Sequence, residues 1–332
     1  MIPEQISRTI RDVGHFILVT HIRPDGDALG SLFGLADILK SLDKNVFCYL
    51  QDPLPAMWDF LPDRQQVSLE FSELEQFVTK AGGDIAIISL DCGSADRLGR
   101  HKDGLLAVKP FMVIDHHIAH QPYGDILWLE PNRSSTGEMV YELAMEIGAE
   151  ISYACAFDLY VAICTDTGSF RYDSTTPATM RIAADLLERG VKPEEVACRV
   201  YDNYSLQRLK LMEKVLATLQ LHESQQLAVI YVTREMFEET GASENDAEGF
   251  INYPRSLRSV RVAVLLKEGK DGVVFVSMRA KGTCDVARVA GIFGGGGHRN
   301  AAGCRFFGSS IDLACKELLP VLRDALDAPV SL

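Results

Sequence analysis

Seven residues, His21-Ile22-Arg23-Pro24-Asp25-Gly26-Asp27, hold one imidazole and two carboxylates. These groups are ligands for a hard or borderline divalent cation, and Pro24 and Gly26 interrupt regular backbone so that both carboxylates can turn towards one point. A single aspartate here would read equally well as a helix cap. Further groups of the same kind recur at Asp91, at Asp115-His116-His117 and at Asp166. Asp25, Asp27, Asp91 and Asp166 together would carry four negative charges, a cluster tolerable only when neutralised, and two divalent ions supply that charge. Two ions about 3.5–4 Å apart serve in-line displacement at phosphorus: they activate a water and offset charge on the leaving oxygen, with one carboxylate bridging them. Mixed imidazole and carboxylate ligands favour manganese, with magnesium or cobalt as substitutes.

Each group ends an apolar element. Residues 15–20 read as a buried strand and residues 29–39 are apolar at helical spacing, which sets the first cluster at a strand-to-helix junction. Strands at 84–90 and 111–114 end at Asp91 and Asp115, and the apolar run 156–165 ends at Asp166. A further strand is read at 45–50. Parallel strands joined by helices deliver their carboxyl ends to one edge, where ligands of open α/β sheets bind. The expected fold class is therefore α/β, with an N-terminal parallel sheet covered by helices on both faces. Ser134-Ser135-Thr136-Gly137 opens an amphipathic helix that ends at Gly148, and its hydroxyls read as a cap in preference to a phosphate holder. Residues 51–80, broken by Pro53, Pro55 and Pro62, allow no placement.

Residues 177–222 read as all-helical, and from Leu227 the texture changes to short strands at 227–232, 260–266 and 273–278. The expected domains are a catalytic one at 1–190, a helical linker at 191–222 and a smaller mixed α/β one at 223–332. The net charge of −13 argues against gripping long duplex nucleic acid through phosphates. Residues 255–305 nevertheless carry 10 Lys and Arg against 3 Asp and Glu, a segment suited to a small anion. No apolar run approaches eighteen residues and no cleavable leader is read, so neither membrane insertion nor secretion is expected. The eight cysteines form no C-x-x-C pair, which fits reduced thiols in a cytoplasm.

The order His21-x-x-Pro24-Asp25-x-Asp27, Asp91, Asp115-His116-His117, Asp166-Thr167-Gly168 and Gly294-Gly295-Gly296-Gly297-His298 resembles the DHH phosphoesterase superfamily with its DHH-associated C-terminal domain. Within it, the chain most resembles the bacterial oligoribonucleases that also dephosphorylate pAp. The resemblance covers nearly the whole chain. It implies that His21 and Asp25 bind one manganese, that Asp27, His116 and Asp166 bind the other, and that Asp91 bridges both. It further implies that Asp115 orients a neighbouring ligand and that His117 contacts the scissile phosphate or helps protonate the leaving group.

In the second domain, Gly295, Gly296 and Gly297 set bare backbone beside His298, suited to a terminal phosphate, with Arg279 and Lys281 as companions if they are not merely solvated surface charge. The expected substrate is a short single-stranded RNA or a nucleotide, and a homodimer is compatible with the sequence. A phosphodiesterase for cyclic or linear dinucleotides is the alternative enzyme. A nucleotide sensor without turnover is the alternative from another class, opposed by the intact ligand set and the lack of an output domain.

Overall fold

The apolar run His15–Thr20 is strand β1. It lies in a six-stranded sheet with Asn45–Tyr49 (β2), Val67–Ser68 (β3), Ile85–Leu90 (β4), Phe111–Asp115 (β5) and Ile126–Leu129 (β6), in the order β3-β2-β1-β4-β5-β6 with every pair parallel. Phe16 and Leu18 join a core with Ile6, Leu29, Met139 and Leu159, while Ile17 and Val19 join another with Leu74 and Leu105. Helices thus cover both faces, which is why β1 from Phe16 onward and all of β4 are buried and do not alternate. The order reverses between β1 and β4. That switch point is where a ligand crevice opens in such sheets.

This computed structural model describes residues 2–62, 67–118, 120–269 and 272–327. It divides into two compact units, Met1–Asn203 and Tyr204–Leu332. In the first, helices Glu4–Asp12 (α1), Gly26–Ser41 (α2), Phe71–Ala81 (α3), Lys102–Ala107 (α4), Thr136–Ile147 (α5), Tyr153–Asp166 (α6), Pro177–Glu188 (α7) and Pro193–Tyr201 (α8) surround the sheet. The fourth metal-candidate element, ending at Asp166, is therefore a helix. Glycines bring it in: a Cβ on Gly30 of α2 would stand 2.3 Å from the Asp158 carbonyl oxygen of α6, and one on Gly26 2.4 Å from Thr165 Oγ1. Overpacking such a contact costs roughly 1–3 kcal/mol, so the close α2–α6 crossing depends on these glycines.

The second unit contains α9 (Leu206–Ala217), β7 (Gln220–His222), β8 (Leu227–Val232), α10 (Arg234–Thr240), α11 (Asn252–Ser256), β9 (Val262–Glu268) and β10 (Val273–Ala280). α12 (Val286–Ile292), β11 (Gly296–His298), β12 (Ala301–Phe307) and α13 (Ile311–Asp327) complete it. Its sheet runs β11-β12-β10-β9-β8-β7, with β8 and β9 parallel and the other pairs antiparallel. One face packs on α12 and α13 through Val289 and Leu318, the other on α9 through Leu211 and Val215. The stretch expected as a helical linker is shared out: α8 belongs to the first unit, and α9 with strand β7 belongs to the second.

Candidate metal centre

At the carboxyl edge of the first sheet three donor groups form. His21, Asp25 and Asp91 make one, Asp27, His116 and Asp166 a second, and Asp91, His116 and His117 a third; within each, the donor atoms all lie within 4.8 Å of one another. Asp91 and His116 belong to two groups each. His21 follows β1, Asp25 precedes α2 and Asp27 lies in its first turn, Asp91 follows β4, His116 and His117 follow β5, and Asp166 ends α6. All six residues expected to be metal ligands thus meet at one edge.

Local hydrogen bonds aim these side chains. The Nδ1–H of His21 donates to the Ile22 carbonyl oxygen at 2.8 Å, which turns Nε2 towards Asp91 Oδ2 at 3.6 Å. His116 repeats the device: Nδ1 lies 3.2 Å from the Arg133 carbonyl oxygen, and Nε2 stands 3.5–3.6 Å from carboxylate oxygens of Asp27, Asp91 and Asp166. A backbone carbonyl on one ring nitrogen is the usual way to hold the other ready for a metal. Asp25 caps α2, accepting from the Ala28 N–H at 3.1 Å, so the cap reading and the ligand reading both fit it. Asp27 accepts from the backbone N–H groups of Thr136 at 2.8 Å and Gly137 at 2.9 Å and from the Ser31 hydroxyl at 3.0 Å. Ser135 caps α5, and the two amides beyond it orient a carboxylate, a role the sequence reading did not reach. Asp91 stands at φ 54°, a left-handed backbone that costs an aspartate on the order of 1–3 kcal/mol and turns its side chain into the cluster.

Asp115 is buried and holds two imidazoles. His117 Nδ1 donates to Oδ1 at 2.7 Å and His120 Nδ1 to Oδ2 at 2.5 Å. An ionised carboxylate only accepts, so both imidazoles carry their protons on Nδ1. Burial would raise the Asp115 pKa, but the two histidine hydrogen bonds hold it well below the usual carboxylate range. His120 was not read from the sequence, although it is the third histidine within five residues of Asp115.

The electrostatics test whether cations fit. Burial, reinforced by the negative charges of its neighbours, pushes the Asp91 carboxyl well up, and Asp27 is pushed up in the same way. Burial and the charges of Asp27 and Asp25, against the pull of His116, hold Asp166 up at about 7. Burial would lower His116, yet Asp166, Asp27 and Asp91 hold it up at about 9. Asp27, Asp91, Asp166 and His116 gather protons because their part of the cluster has more negative charge than the protein balances, whereas Asp25 and His21 are shifted down. Divalent cations on these oxygen and Nε2 donors are the fitting counter-charge.

The expected nucleotide-binding residues are divided. A Cβ on Gly295 would stand 2.1 Å from the Gly303 carbonyl oxygen and one on Gly297 2.5 Å from that of Ala301, so close pairing with β12 already requires both glycines. Around Gly296 a Cβ would meet nothing within 4 Å. Lys281 Nζ donates to the Leu257 carbonyl oxygen at 2.8 Å, and Arg279 Nη1 to that of Met278 at 3.1 Å. His298 pairs through its backbone with Ala301, and its side chain lies outside the described residues.

Residues 15–163 match the DHH family N-terminal domain and residues 224–327 the DHHA1 domain. The chain is 32% identical over 317 residues to the bifunctional oligoribonuclease and PAP phosphatase NrnA of Thermus thermophilus, covering 94% of this chain and 90% of that one. It is 29% identical over 328 residues to the protein of the same name from Bacillus subtilis, covering 94% and 98%. An exopolyphosphatase-related protein from Bacteroides fragilis has the same structure at a TM-score of 0.87 with 30% identity, over 98% of this chain and 95% of that one. With both domains matched in order and such relatives aligned over nearly their whole length, the chain belongs to the DHH family of phosphoesterases.

Proposed function

We propose that this chain hydrolyses short oligoribonucleotides, dinucleotides included, to mononucleotides and removes a phosphate from pAp to give AMP. The observation that carries the reading is the meeting of three overlapping Asp/His donor groups at one sheet edge. The relatives named for those two activities support the substrate class. In this reading His21 and Asp25 hold one divalent ion, Asp27, His116 and Asp166 hold a second, and Asp91 serves both; ligand chemistry favours manganese. When bound, the ions supply the Lewis acidity that activates water and offsets charge on the phosphoryl oxygens.

The remaining work falls to the chain's own residues. The Thr136 and Gly137 amides keep Asp27 in place. Asp115 fixes the tautomer of His117, whose Nε2 contacts the scissile phosphate or gives a proton to the leaving oxygen. Arg279, the Gly295–Gly297 backbone and His298 hold a remote phosphate of the nucleotide, with Lys281 beside them. The free cysteines agree with a reducing cytoplasm, and among the described residues no helix is long and apolar enough to cross a membrane. Incubating the manganese-loaded protein with a dinucleotide, a pentamer, pAp and a linear cyclic-dinucleotide product, read by chromatography, tests the reading. Mononucleotides from the first two and AMP from pAp are expected. Turnover of the cyclic-dinucleotide product alone would replace it with the dinucleotide phosphodiesterase.

A further inference from the structure

His120 is almost wholly buried, yet it lies outside every donor group of the metal centre. One ring nitrogen donates to Asp115, and the other, Nε2, has no hydrogen-bond partner among the described residues. Burying a polar ring for a single bond is costly unless that bond is used. The ring is also fixed from behind. Tyr123 stacks on it with centroids 5.5 Å apart and planes 14° from parallel. The Tyr123 hydroxyl donates to the Cys92 carbonyl oxygen at 2.8 Å and lies 2.8 Å from Ser89 Oγ. Ser89 lies on β4 and Cys92 follows Asp91, so His120 is tied to the strand end that supplies the shared carboxylate.

We propose that His120 is a positioning residue: it pins the second oxygen of Asp115, so that the first oxygen holds His117 with Nε2 directed at the substrate phosphate. A carboxylate with one partner can rotate about its Cβ–Cγ bond, and His117 would swing with it. With an imidazole on each oxygen the plane is set. Small losses of alignment of a reacting group cost rate and leave ground-state binding largely intact. The proposal rests on the reading of His117 as the residue that meets the phosphate.

A double-mutant cycle tests it on the full manganese-loaded chain. His120→Leu should lower kcat on a dinucleotide roughly tenfold to fiftyfold, with KM within about twofold, on the scale at which orienting partners of a site act. His120→Asn, which keeps an N–H donor, should recover part of that loss. Manganese content should match that of the parent in both variants, while the Tm of the metal-free protein should fall, more in His120→Leu than in His120→Asn, because a buried Asp115 oxygen loses its partner. In a His117→Ala background His120→Leu should cost nothing further, because residues acting as one unit are not additive. Equal losses in both backgrounds would overturn the proposal and leave the assigned function standing, as would wild-type kcat in His120→Leu. Wild-type kcat in His117→Ala alone would remove the role of His117 itself, and the positioning role with it.

Discussion

The two sheets handle polar residues in opposite ways. In the first, buried parallel strands run in one direction, so residues as far apart as His21, Asp91 and His116 arrive at one edge with their donor atoms facing one another. In the second, antiparallel pairing of β11 with β12 already explains Gly295 and Gly297, and a backbone carbonyl already holds Lys281. A polar group that ends a buried apolar run has few structural reasons to be there, whereas a glycine run or a surface lysine has several. The comparison teaches that the donor groups gather at the parallel edge, and that the substrate contacts proposed for the second unit fall on residues that already have structural duties.

The sharpest way to break this contrast is Asp91→Ala. Turnover should vanish and most bound metal with it, because two ions would lose a shared ligand, while the fold survives the removal of one charge from an acidic cluster. Activity and metal content of the purified variant check this, and wild-type turnover would remove Asp91 from the centre. A smaller effect is expected in the second unit. His298→Ala should slow dinucleotide cleavage on the order of tenfold to a hundredfold, the scale of one charge-assisted hydrogen bond. It should leave manganese content and hydrolysis of a small activated phosphodiester nearly unchanged. An equal loss on both substrates would place His298 in the chemistry and erase the distinction between the units.

The smallest effect is a pH slope in the metal-free protein. Asp166, held at about 7 against 3.8 unfolded, keeps its proton after the unfolded chain has lost it; stability present below pH 3.8 is therefore lost as pH rises through 7. His116, held at about 9 against 6.5, contributes stability that is present below pH 6.5 and lost as pH rises through 9. Both run the same way, and His21, whose pKa burial lowers, opposes them without reversing the slope. The metal-free chain should melt a few degrees higher at pH 5.5 than at pH 8.5, and Asp166→Asn should flatten the slope. Manganese, which binds the deprotonated ligands, should raise Tm most at pH 8.5. A metal-free Tm that rises with pH would contradict the charge balance described for this edge.

Much of this edge was legible because period and chemistry coincide: β1, β4 and β5 are uninterrupted apolar runs, and each stops at a carboxylate or an imidazole. The path of Asp166 was visible as an apolar run, but the close α2–α6 crossing that brings it in needs Gly26 and Gly30 opposed to α6, a contact between distant segments. Residues 51–80 gave no reading, yet α3 forms there and covers the second face of the sheet. Its apolar positions are few and pack only once the sheet exists. His120 and the Thr136 and Gly137 amides escaped for the same reason: a histidine in a polar loop and the amides of a helix start acquire meaning only from Asp115 and Asp27, which the fold brings to them.

The central claim is that six side chains of one sheet edge hold two divalent ions. Crystals of the protein soaked in manganese, with anomalous diffraction recorded at the manganese edge, test it directly. The account predicts two peaks about 3.5–4 Å apart, one beside His21 and Asp25, the other beside Asp27, His116 and Asp166, with Asp91 between them. A single peak, or manganese bound away from these residues, would contradict it.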